Sequence, residues 1–180
     1  MAYWLTELEK AIYDRLTGDT GTGGLLNAGN ELIVTHPNGS SAGVGVYNTI
    51  APNASSGTVY PCVTFIVTGA TADDAFRTAT RRVRVYVAVE VERTNPSGTA
   101  SAYNPLSRGA LICQRIEGNW YEKAAGTAPD YGLDRFKPTL AGGTAWESDV
   151  LVFEAANAAH DDIMLRWEMT FTALISRIGS

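Results

Sequence analysis

The stretch Thr80–Glu92 constrains this chain more than any other. Val83, Val85, Val87, Val89 and Val91 take every second position, and Arg82, Arg84, Tyr86, Ala88, Glu90 and Glu92 stand between them. Strict alternation of this kind predicts a β-strand with one apolar and one polar face. Valine suits such a surface, because its restricted χ1 costs little in a pleated strand. Burial of the five valines contributes roughly 8–15 kcal/mol as an upper bound. A slip of one residue would expose all of them, so the register is tightly specified. At ~3.3 Å per residue the strand spans about 40 Å, roughly twice the usual length. Something must cover the valine face, and something must meet the other.

A second alternation runs over residues 163–176. There Leu165, Trp167, Met169, Phe171, Ala173 and Ile175 alternate with Arg166, Glu168, Thr170, Thr172 and Leu174. A shorter one covers residues 59–68, with Val63, Phe65 and Val67 on one side and Cys62, Thr64, Ile66 and Thr68 on the other. The residue 69–78 loop joins it to the long strand, which predicts an antiparallel hairpin with a wide tip carrying Asp73 and Asp74. Further short strands are expected at 31–36, 44–50, 136–141 and 150–154, with residues 155–162 helical or disordered.

Two helices are expected. In residues 4–16, Leu5, Leu8, Ile12 and Leu16 recur at helical spacing, and Gly18 stops the run. In residues 103–121 the face is Leu106, Ala110, Cys113, Ile116 or Glu117, and Trp120, widened by Leu111 and Ile112. This second helix is expected to be the longer and the more buried, at about 27 Å. Together these elements predict an α+β fold: a mixed, mainly antiparallel twisted sheet with two helices on its apolar face and long loops. With 180 residues and 45% hydrophobic content the chain suits one domain over residues 1–180.

Composition excludes several functions. A net charge of −5 and a pI near 5.0 do not suit an electrostatic nucleic-acid binder. Arg77, Arg81, Arg82 and Arg84 form the densest basic cluster, at one end of a strand whose other end carries Glu90 and Glu92. Residues 1–16 lack the basic start and continuous apolar core of a signal peptide, and no stretch suits a membrane span. Cys62 and Cys113 lie in apolar segments and read as buried thiols rather than a disulfide.

Chemistry-bearing motifs are lacking. Residues 17–45 are rich in glycine but contain no lysine, so they hold no phosphate loop. His36 sits beside a Pro37-Asn38-Gly39 turn, and the run His160, Asp161, Asp162 cannot converge on one metal without further ligands. Glu90 and Glu92 are ~6.5–7 Å apart along one strand face, a glycosidase-like spacing. Nothing around them suggests a sugar cleft. Trp4, Trp120, Trp146 and Trp167 read as core. The expectation is a non-enzyme without metal or cofactor.

The order of elements carries a resemblance. A first helix leads to Val46-Tyr47-Asn48-Thr49-Ile50-Ala51-Pro52, then to Tyr60-Pro61-Cys62-Val63-Thr64-Phe65, then to the valine-rich strand, a helix and closing strands. This resembles the tail terminator or tail completion proteins of tailed bacteriophages, which join head to tail. Residues 17–45 and 122–137 exceed the length of typical members.

The resemblance implies a wedge-shaped subunit of a homohexameric ring at the head-proximal end of the tail tube. Such a ring ends tube polymerisation and meets the neck or head completion protein. Genome DNA passes through the lumen without specific binding, which an acidic wall favours. Rings need heterologous interfaces. Arg82, Arg84, Tyr86, Glu90 and Glu92 are expected at the contact between copies, and Asp73, Asp74 and Arg77 at the tube or neck. The alternatives are a head completion or neck protein, a tail tube subunit and, more distantly, a small metal-dependent enzyme.

Overall fold

In the computed structural model the described residues are 4–17, 26, 34–35, 41–42, 44–48, 60–72, 80–93, 104–118, 132–140 and 145–178. In chain order the elements are α1 (Trp4–Thr17), β1 (Val34–Thr35), β2 (Ser41–Ala42), β3 (Gly45–Asn48), β4 (Cys62–Ala72), β5 (Thr80–Glu92), α2 (Pro105–Glu117), β6 (Trp146–Ser148), β7 (Val152–His160) and β8 (Met164–Arg177). β1 and β2 pair antiparallel by themselves. The other strands form a six-stranded sheet in the order β3-β4-β5-β8-β6, with β7 also paired to β8. β3 runs parallel to β4 and every other pairing is antiparallel. The α+β class expected from the sequence is the class observed.

The long strand occupies the residues its alternation predicts and pairs along its whole length with β8. Register places Val63, Val89 and Trp167 in one row, Phe65, Val87 and Met169 in the next, and Val67, Val85 and Phe171 in a third. The five valines of β5 are buried, as are Val63, Phe65, Phe171 and Ile175. Period-2 patterning on three adjacent strands thus produces one continuous apolar face.

Two helices cover that face, α1 against β3 and β4 and α2 against β5 and β8. α1 buries Trp4, Leu8, Ile12 and Leu16, its i, i+4 stripe. The Trp4 and Trp146 rings lie 6.0 Å apart, tying α1 to the short strand β6. α2 begins on an Asn104 cap, whose Oδ1 accepts the Ser107 N–H at 3.1 Å, with Pro105 in the first turn. It ends at Gly118, whose φ of 113° suits glycine alone. Gly109 lies against the Trp167 ring so closely that a Cβ there would come within 2.1 Å of it.

Several local expectations change. α2 is shorter than residues 103–121, because Asn104-Pro105 and Gly118 set its ends. Its buried face is Gly109, Ile112 and Ile116, whereas Leu106 is exposed, and α1 buries the larger side chains. Residues 136–140 form no strand. Pro138 lacks an N–H there, and the segment instead holds residue 151 through Arg135 N–H to Leu151 O (2.6 Å) and Leu151 N–H to Phe136 O (2.8 Å). Residues 155–160, expected to be helical or disordered, belong to β7, since pairing with β8 overrides the weak strand preference of alanine. β4 continues to Ala72, past the expected end at Thr68, through an irregularity between Thr68 and Thr71. β6 was not foreseen from the sequence. The Gly18 stop, the Pro37-Asn38-Gly39 turn, His36 and Trp120 lie outside the described residues.

Candidate functional site

The sheet face opposite the helices carries the residues expected at contacts. Its rows follow from the register: Cys62, Glu90 and Arg166; Thr64, Ala88 and Glu168; Ile66, Tyr86 and Thr170; Thr68, Arg84 and Thr172. Arg82, Arg84 and Tyr86 are exposed, while Glu90 and Glu92 are half-buried. Ile66, Tyr86 and Val152 are 39%, 42% and 50% exposed, so the middle of this face offers large apolar side chains to its surroundings.

Charges on the face are organised within the chain. Arg166 Nη1 donates to Glu90 Oε1 at 2.7 Å, and its Nε donates to Glu168 Oε1 at 2.8 Å. Arg84 Nε lies 3.4 Å from Glu154 Oε2, an ion pair spanning β8 from β5 to β7. Such partly exposed pairs contribute about 0–1 kcal/mol each, so they orient side chains more than they hold the fold. The Cys62 thiol donates to Glu90 Oε2 at 3.7 Å. Burial pushes this thiol up to about 12, with the Glu90 charge and hydrogen bond adding and Arg166 opposing. Burial also raises the Tyr60 phenol, helped by Cys62, Glu90 and Glu92.

Arg82, Arg84, Tyr86, Glu90 and Glu92 therefore share one face, as the alternation requires. Asp73, Asp74 and Arg77 lie outside the described residues. Sequence reasoning missed three members of the charge pattern. Arg166 and Glu168 were visible on the polar side of the second alternation. Glu154 sits at the irregularity between Phe153 and Ala155, which no residue pattern announces.

The His160, Asp161, Asp162 run serves the β7–β8 turn. Asp161 Oδ1 accepts the N–H groups of Ile163 (2.7 Å) and Met164 (2.6 Å), and these bonds hold its carboxyl below the usual range. His160 Nδ1 accepts the Arg166 N–H at 3.2 Å, and its ring meets Trp167 edge-on at 4.9 Å. Cys62 and Cys113 are both free, the first buried and the second half-buried. Among the described residues no group of three or more His, Cys, Asp or Glu side chains is placed to hold a metal ion. Among them, too, no helix is long and apolar enough to cross a membrane.

Searches against protein-family models and curated proteins find no match. Among solved structures the chain is similar to one in the virion of a native gene transfer agent particle, at 15% identity and a TM-score of 0.52. The likeness spans 97% of this chain and 99% of that one, and at this identity it speaks to the shared fold.

Proposed function

We propose that this chain is a structural protein of a phage-like virion, a single tail-terminator-like domain that assembles into a hexameric ring at the head-proximal end of the tail tube. The ring ends tube polymerisation, contacts the tail tube protein on one side and the neck or head completion protein on the other, and passes DNA without specific binding. The observation that carries this reading is the end-to-end likeness of fold to a chain of a gene transfer agent virion, 97% of one against 99% of the other. The order of elements that resembles tail terminators supports it. So does an open sheet face that leaves Ile66, Tyr86 and Val152 uncovered.

In this reading Arg82, Arg84, Tyr86, Glu90 and Glu92 contribute to contacts between copies, and Asp73, Asp74 and Arg77 to contacts with the tube or neck. Pairs such as Arg84 with Glu154 set register more than affinity. The role is assembly rather than catalysis. The metal-enzyme alternative loses support because His160 and Asp161 are engaged in shaping a turn.

Negative-stain microscopy of the purified protein, alone and with tail tubes, tests the reading. Closed rings, and tubes capped at one end, are expected. Extended filaments of the protein alone would instead favour a tail tube subunit. Binding to capsid connectors with none to tubes would favour a head completion protein.

A further inference from the structure

The ring reading puts side chains of the polar face of β5 at the contact between copies but names no strand edges that meet there, and β7 (Val152–His160) offers one. Among the described residues this strand pairs with β8 alone. All of it is exposed except half-buried Phe153. Its nine residues span ~30 Å. Protein edges are usually guarded by charged side chains, proline, bulges or short length. In β7 the charge and the irregularity are confined to Glu154; Ala155, Ala156, Asn157, Ala158 and Ala159 beyond it have none of these guards.

The phase of the ladder shows which backbone groups point away from the sheet. Asp161 N–H donates to Met164 O at 3.0 Å, so Ala159–Arg166, Asn157–Glu168 and Ala155–Thr170 are the hydrogen-bonded pairs. The backbone N–H and C=O of Ala156, Ala158 and His160 therefore face outward. The outward Ala158 N–H is met by the side chain of its neighbour Asn157, at 2.9 Å.

At the other side of the sheet β3 covers β4 only over Cys62 to Phe65. Residues 66–72 have no strand beside them there among the described residues. β4 is antiparallel to β5, β5 to β8 and β8 to β7, so β4 and β7 run in opposite directions. Copies related by rotation about an axis inclined to the strands would bring β7 of one, displaced along the strand direction, beside the free end of β4 of the next in the same antiparallel alternation. The charges agree. Glu154, Asp161 and Asp162 make the β7 side acidic, while Arg81, Arg82 and Arg84 stand beside the free part of β4, opposite Ala72, Thr71 and Thr68. A joint between two β7 strands would set acidic edge against acidic edge.

We propose that the outer edge of β7 takes up residues 66–72 of β4 from a second copy of this chain by antiparallel strand addition. The joint is heterologous, and repetition closes a ring. With Ala158 beside Gly69, the antiparallel register would carry Glu154 of one copy just past Ala72 of the next, two strands from Thr80 and Arg81. The inference rests on the ring reading, deepens it, and can fail separately from it.

Cross-linking tests it. Gly69 is exposed with open space about its Cβ, so Gly69→Cys is tolerated, and Ala158→Cys marks the outward edge of β7. An equimolar mixture of the two single variants, treated with a short bis-maleimide, is expected to give Gly69→Cys to Ala158→Cys links in preference to links within either variant. Ala156→Lys in the native background is expected to lower assembly at least tenfold with an unchanged melting temperature. Links only between two Ala158→Cys chains, no links, or an Ala156→Lys protein that assembles like the parent would overturn the proposal. Native mass measurement keeps the two readings apart. A closed ring without the mixed link removes the edge inference alone, whereas the mixed link in open-ended chains removes the ring.

Discussion

The two faces of the central sheet share the same three strands and the same ladder, yet they meet different surroundings. Behind one face the two helices leave the valines of β5 and the phenylalanines of β4 and β8 with no more than 1% exposure. The other face has no helix on it among the described residues and keeps Tyr86, Ile66, Arg82 and Arg84 exposed. The contrast separates the surface that holds the fold from the surface proposed for association. The covered face should respond strongly to substitution in the isolated protein, and the open face weakly there but strongly in the assembly.

The largest effect is expected at Phe171, buried at the centre of the covered face and edge-on to Phe153 at 5.7 Å. Phe171→Ala should lose ~3–5 kcal/mol in urea unfolding. Val152→Ala, on the open side, should lose under about 0.5 kcal/mol. Equal losses at the two positions would break the contrast. Gly109→Ala should cost about 1–3 kcal/mol, because the new methyl meets the Trp167 ring, and Trp167→Leu in the same chain should recover part of the loss. Asn104→Ala should cost ~1 kcal/mol by removing the cap of α2, with Asn104→Asp near neutral.

The smallest effects belong to the open face. Arg166→Ala, which breaks pairs with Glu90 and Glu168, should change stability by about 1 kcal/mol or less. Its other consequence is electrostatic. Arg166 lowers the Cys62 thiol while burial and Glu90 raise it, so the variant thiol should ionise at still higher pH. In the parent protein the raised thiol retains its proton in the folded state after the unfolded chain has lost it. Stability should therefore fall as pH rises from about 9 toward about 12, and Cys62→Ala should make that slope shallower in alkaline urea titrations.

Much of the fold was legible because three strands each bury one face and expose the other. For β5 and β8, that alternation gave both the residue range and the side on which the helices lie. β7 was illegible for the opposite reason. It buries almost nothing, so Ala155 to Ala159 carry no period, and its strand form comes from the ladder with β8 alone. The ends of α2 were written in Asn104-Pro105 and Gly118, and were missed because Tyr103 and Trp120 extended the apparent period. The open face was legible as a set of residues on one side of a strand. Its internal ion pairs were not, because Glu154 and Arg166 reach it from strands far away in sequence.

Whether copies of this chain close into the proposed ring is read by native mass spectrometry of the protein at rising concentration, and again after addition of tail tubes. One closed stoichiometry, a hexamer, is expected, without larger species. A monomer under both conditions, or a continuous ladder of masses growing with concentration, would contradict it.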